Sequence, residues 1–260
     1  MLAPDGLPVV TATRYVTPLK EGGSLPGIVE ASDDGTYVLK FRGAGQGLKV
    51  LVAEIVVAGL AALIEVPVPQ LAVVHLDARI AKYEADEEVQ DLLTASVGTN
   101  LGVDFLPGSL GYDGSRPPGP DLAERIVWLD ALTANVDRTW SNPNLLVWHG
   151  ATWAIDHGAA LYFHHSWPSR PPAPERFAAQ PFDASRHVLR RVGGEVSARH
   201  HELAEHLTPD AVSAVVESVP ADWLELTADL PDVAAVRTAY RDLLAARLAS
   251  PAAWVPGSPS

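Results

Sequence analysis

The sequence predicts an α+β fold, sheet-rich in its N-terminal part and mostly helical in its C-terminal part. Three observations carry that expectation. Val9 to Tyr15 and Thr36 to Phe41 are runs of β-branched and aromatic residues bounded by Gly and Asp clusters, as strands are. Leu48 to Ile64 is apolar nearly all round, as a helix covered on several sides must be. After a stretch rich in Gly, Pro and Asp, from Gly98 to Pro120, helical periodicity dominates. The boundary between two lobes is expected inside that stretch, giving an N-terminal lobe over 1–108 and a C-terminal lobe over 109–260.

Composition narrows the function classes. The chain has 260 residues, 47% of them hydrophobic, enough for a sizeable core. Its formal charge of −13 argues against duplex nucleic acid or an anionic membrane surface as the main partner, since both need a positive face to displace counterions. With no cysteine, it has no disulfide framework, thiolate metal site or cysteine nucleophile, which suits the cytoplasm. The first fifteen residues carry no basic segment before an apolar run, so no secretory signal is expected. Glu54, Glu65, Pro67 and Pro69 interrupt the apolar stretch from Val50 to Leu76, which therefore reads as a buried helix and a strand, not a membrane span.

Between the first two strands lies the glycine-rich turn EGGSLPG, Glu21 to Gly27. In YVLKF the period of two puts Tyr37, Leu39 and Phe41 on one face and Val38 and Lys40 on the other. Glu54 is the only internal acid of the following helix, and a carboxylate among packed neighbours needs a cation. VPVPQLAVVHLD reads as a turn into a strand, and IAKYE as its continuation or connection. In DLAERIVWLDALTAN, Asp121 is the expected N-cap, with Ile126, Leu129 and Leu132 in the core. NLLVWHG and ATWAID suggest a hairpin turning at His149 and Gly150, and the chain from Asp183 to Ala249 reads as mostly helical.

The polar residues left over form a set with one chemistry. Transfer of a phosphoryl group from ATP needs a cation on the phosphates, metal ligands, and a carboxylate beside the attacking hydroxyl. Lys40, one of only four lysines against fifteen arginines, would hold the phosphates, with Glu54 fixing its ammonium. In NVDRTWSNPNLL, Asp137 would orient the hydroxyl and accept its proton, and Asn142 would ligate magnesium. Asn144 is the competing amide, and Pro143 between them favours a shaped loop. Asp156, at the end of the apolar WAI and before His157 and Gly158, would hold the metal that bridges the phosphates. Gly22, Gly23 and Ser24 of the glycine-rich turn are candidates to cover the nucleotide, and Ser24 to be autophosphorylated.

FRGAGQG with the downstream VAE, then NVDRTWSNPNLL and AIDHGAAL, resembles the HipA-like kinase family, a branch of the protein-kinase-like superfamily that includes the phosphatidylinositol kinases. The resemblance runs from about Tyr15 to Phe163. It implies a bilobal protein-kinase-like fold, ATP and Mg2+ as cofactors, and transfer to a hydroxyl acceptor, favouring protein Ser/Thr over a small molecule or lipid headgroup. It also implies that Val103 to Pro107 is the hinge that meets adenine, so Asp104, Phe105 and Leu106 are nucleotide-contacting by position. Arginine follows Asp137, as in DR, where eukaryotic protein kinases have HRD, and Asp156 precedes HG in place of FG; HipA-like proteins and lipid kinases share both departures. A nucleotide-binding module without turnover is the other class of reading.

Three further patterns fail on spacing. GAGQG has Leu48 where a dinucleotide-binding fingerprint or a P-loop needs glycine. His201 and His206 lie five apart, roughly 140° round a helix, and do not form a zinc pair. No nucleophile elbow accompanies a Ser, His, Asp set. Trp128, Trp140, Trp148 and Trp153 are expected to pack in the core.

Overall fold

Residues 6–19, 25–45, 47–82 and 84–257 are described by the computed structural model. It is a mixed α/β chain that divides into two compact units. The smaller comprises residues 2–51 and 69–107, the larger residues 52–68 and 108–260.

The smaller unit is a closed five-stranded barrel. Its strands are β1 (Val9–Pro18), β2 (Gly27–Ala31), β3 (Thr36–Lys40), β4 (Leu71–Leu76) and β5 (Gly98–Asp104), in spatial order β1-β2-β3-β5-β4. A parallel pairing of β1 with β4 closes it, so no edge is left unpaired. Val10, Val29, Leu39, Phe41, Val74 and Leu76 fill the interior together with Leu93. The alternation predicted for YVLKF holds: Tyr37 and Leu39 are buried, while Val38 and Lys40 are half-buried on the other face.

Gly98 to Asp104 forms strand β5 between β3 and β4, so the first third of the supposed boundary stretch belongs to the barrel. Its apolar Leu101, buried in the barrel, overrides the local glycines. Ile80 and Ala81 fall in a short helical connection, α2 (Ala78–Ala81), which leads to α3 (Glu87–Ala95).

The turn after β3 explains its glycines structurally. A Cβ on Gly43 would stand 2.7 Å from the Ala95 carbonyl oxygen, so only glycine fits there. Its N–H donates to Ser96 Oγ at 3.2 Å, and the Arg42 N–H donates to Asn100 Oδ1 at 2.8 Å. The fully buried Asn100 amide in turn donates to the Ser96 and Gly98 carbonyls, leaving no polar atom of that side chain stranded.

Helix α1 (Leu48–Leu63) contributes to both units. Every residue from Leu51 to Ala61 is buried, as its all-round apolar sequence requires.

The larger unit adds helix α4 (Pro120–Thr133), a sheet of order β6-β7-β8 from Leu110–Gly111, Leu145–Trp148 and Ala151–Ala154, and helices α5 (Pro174–Ala178), α6 (His200–His206), α7 (Pro209–Glu217) and α8 (Val233–Leu248). The expected hairpin forms, with His149 and Gly150 at φ of 48° and 80°, the left-handed pair of a two-residue turn. Asp121 does not cap α4. Gly119 occupies the cap position and Pro120 the first turn, where a missing N–H costs nothing, so Asp121 instead lies inside the first turn, where its charge suits the helix dipole. Among the described residues, no helix is long and apolar enough to cross a membrane.

Candidate active site

Within the larger unit, the chain leaves α4 through Ala134, a left-handed residue, and enters the segment Asn135–Asn144. Asp137 is half-buried there. Asn142 Nδ2 donates to its Oδ2 at 2.7 Å and Asn144 Nδ2 donates to the same oxygen at 3.3 Å. The two asparagines therefore orient one carboxylate while their own Oδ1 atoms accept no hydrogen bond from a described residue. Asp137 Oδ1 is likewise left to accept from something else.

The loop is fixed from beneath by a residue that sequence reasoning did not single out. Arg138 is 1% exposed, and its guanidinium is spent entirely on the loop's own framework. Nε donates to Asp130 Oδ2 at 2.6 Å, one terminal nitrogen donates to the carbonyls of Asn144 and Ile155, and the other lies 3.3 Å from His157 Nδ1. A planar five-donor fork can do this where a lysine could not.

Asp130, on the last turn of α4, is fully buried and also receives Asn135 Nδ2 at 3.0 Å and lies 2.9 Å from His187 Nε2. Burial by itself would raise its carboxyl, but the Arg138 charge and the His187 hydrogen bond outweigh burial and hold it well below the usual carboxylate range. Asn135 passes the order onward, since its Oδ1 accepts the Asp137 N–H at 3.2 Å.

The end of β8 is stitched to the same loop. The Ile155 N–H donates to the Asn144 carbonyl at 3.0 Å. Asp156 follows as an exposed residue at φ 55°, a left-handed conformation uncommon outside glycine, so the extended backbone of the strand does not continue through it. So the larger unit brings Asp137, Asn142 and Asn144 into direct contact and ties the backbone before Asp156 to them. Hard oxygens from one carboxylate and an amide are the donor set that magnesium takes, because it keeps several of its waters.

Glu54 is buried in α1, 2% exposed. In the smaller unit, Lys40 ends β3 opposite Leu101 of β5. Asp104 ends β5 and is raised above the usual carboxylate value, first by burial and then by Asp33. Its N–H donates to the Gln70 carbonyl, and that of Phe105 donates to the Thr36 carbonyl. Leu106 is buried, 5% exposed. Gly22, Gly23 and Ser24 lie outside the described residues.

One aromatic expectation changes. Trp140, in the Asp137 loop, is not a core residue: it is 61% exposed, with its ring 6.2 Å from that of Tyr112 and stacked on it. Trp128 is fully buried as expected. His201 is exposed on α6 beside Glu205, while His164 is buried with its Nδ1 2.8 Å from the Tyr240 hydroxyl.

The HipA-like kinase family profile matches residues 13–255, and the chain belongs to that family. Among solved structures it is similar to the proinflammatory kinase CtkA of Helicobacter pylori, with a TM-score of 0.56 and 9% identity over 91% of this chain and 92% of that one. At that identity the likeness is one of fold. A search of curated proteins returned no match.

Proposed function

We propose that this kinase uses ATP and magnesium to transfer the γ-phosphate to a hydroxyl group, with protein serine or threonine as acceptor. The observation that carries the reading is the Asp137 carboxylate, held by two asparagines on a loop braced by a buried arginine, in a chain of the HipA-like kinase family. Phosphoryl transfer asks mainly for positioning and charge compensation, and such a loop supplies a carboxylate whose direction is set before substrate arrives.

In this reading Asp137 orients the acceptor hydroxyl and takes its proton. Asn142 and Asp156 hold magnesium, which neutralises charge on the transferring phosphate. Lys40 meets the α- and β-phosphates and Glu54 fixes its ammonium. Residues 1–108 form the nucleotide lobe of a bilobal enzyme and 109–260 the catalytic one, with Gly22, Gly23 and Ser24 among the nucleotide-binding residues. Of the three hinge residues, Leu106 has a backbone N–H with no described acceptor, so it is the donor offered to adenine, with Asp104 and Phe105 spending theirs inside the barrel. The cysteine-free composition supports a cytoplasmic site of action.

Incubation with radiolabelled ATP and magnesium tests the reading. Wild-type protein is expected to transfer label to itself or to an added protein, and Asp137→Asn to lose about 10²-fold or more of that rate. Label incorporation that survives Asp137→Asn would remove the carboxylate from its role. Magnesium-dependent thermal stabilisation by ATP without any transfer would instead favour a nucleotide-binding module.

A further inference from the structure

A cavity of about 330 Å³ opens in the larger unit, walled by Tyr162, Phe163, Trp167 and Phe177 and bearing two guanidiniums, Arg170 and Arg176. Its size is that of a small-ligand pocket. The aromatic wall is well packed, with Phe163 and Phe177 centroids 4.4 Å apart and Phe163 and Trp167 5.8 Å apart. Neither Arg170 nor Arg176 makes an ion pair with a described residue, and no acidic side chain lines the cavity.

That is unusual for this chain. It carries 32 acidic residues against 19 basic ones overall, yet residues 162–191 contain five arginines and only two acids, Glu175 and Asp183. A third cation lies behind the wall. Arg247 is fully buried, with its guanidinium 4.5 Å from the Phe177 centroid. It donates only to carbonyls, those of Ala131, Phe177 and Gln180, so no carboxylate among the described residues cancels its charge. Burial lowers it to about 10, which leaves it cationic at neutral pH. Positive potential in a concave, low-dielectric wall concentrates anions.

We propose that this cavity is an oxyanion-recognition site, taking a phosphate or carboxylate carried on an apolar or aromatic body. The guanidiniums of Arg170 and Arg176 receive the oxyanion and the aromatic wall receives the body. Two free arginine forks match the geometry of a phosphate better than that of a single carboxylate, so phosphate is the preferred anion. None of the lining residues belongs to the proposed transfer machinery, so binding here stands or falls separately from catalysis.

Calorimetric titration of the full chain with phenyl phosphate, benzoate and neutral benzyl alcohol tests this. Phenyl phosphate is expected to bind at least tenfold more tightly than benzyl alcohol and to weaken as salt rises, and R170E/R176E is expected to lose at least tenfold of that affinity. Benzoate binding more tightly than phenyl phosphate would identify a carboxylate as the anion within the same site. Should R170E/R176E fail to fold by circular dichroism, R170A/R176A takes its place. Absence of anion binding at millimolar concentration, equal binding of benzyl alcohol, or undiminished phenyl phosphate binding by the folded variant overturns the proposal.

Discussion

Arg138 Nε lies 2.6 Å from Asp130 Oδ2, and both side chains are fully shielded from water. This pair joins the last turn of α4 to the loop that carries Asp137, and the same guanidinium reaches the backbone just before Asp156. Its importance is that a buried charge tolerates no loss of its partner. Replacing Arg138 with methionine takes the guanidinium from Asp130, leaving only Asn135 and His187 beside it, and is expected to cost about 3–5 kcal/mol of stability, read from urea unfolding. The double replacement R138M/D130L should recover much of that loss, because the residual charge is gone as well. A double variant as unstable as the sum of its parts would mean the pair is not coupled.

The same carboxylate predicts an acid-dependent term. Its folded-state pKa is depressed, so its stabilisation is complete above the ordinary unfolded value near 3.8 and is lost as pH falls through the lower folded value. Stability should therefore fall with acid below about pH 4 in the wild type, with a shallower fall in Asp130→Asn, which has no proton to gain. Denaturant titrations on either side of pH 4 measure the two slopes. Equal slopes would assign the acid loss to other carboxylates.

Asn142 and Asn144 share one acceptor but differ in environment. Asn142 is exposed and Asn144 is 8% exposed, with its carbonyl held by Arg138. Asn142→Ala should leave the melting temperature nearly unchanged while raising the magnesium concentration for half-maximal transfer about tenfold or more. Asn144→Ala should lower stability first, by about 1–3 kcal/mol, as truncation in a buried network does. If magnesium dependence moves only in Asn144→Ala, the metal-binding amide is Asn144.

Gly43 offers a test of the reading that its turn is shaped by packing. A methyl group there meets the Ala95 carbonyl at 2.7 Å, so Gly43→Ala should destabilise by about 1–3 kcal/mol. Gly111→Ala, where nothing stands within 4 Å of the added carbon, is the matched control and should be nearly neutral. Thermal unfolding of both compares them directly. A neutral Gly43→Ala would show that the turn can move aside.

Much of the fold was legible because its signals are local. The period of two in YVLKF placed Lys40 opposite the barrel interior, and His149 with Gly150 marked a two-residue hairpin turn. Helix α1 ended one residue from its expected limit. Other parts were less legible: Gly98 to Asp104 opens the stretch expected to hold the lobe boundary, and burial between two strands makes it β5. Residue type alone predicts Trp140 in the core, whereas its ring is exposed and stacked on that of Tyr112.

Within the candidate site, the sequence by itself determined the reactive types and their order, since Asp137 and Asn142 lie close enough along the chain for a single loop to bring them together. Only the tertiary structure decided what makes that loop rigid. Asp130 is bridged to His187, 57 residues away, and Arg138 spends its donors on carbonyls that no spacing rule identifies. The physical reason is that a buried charge is satisfied by whichever groups the folded chain delivers to it, and those partners are set by packing over long separations.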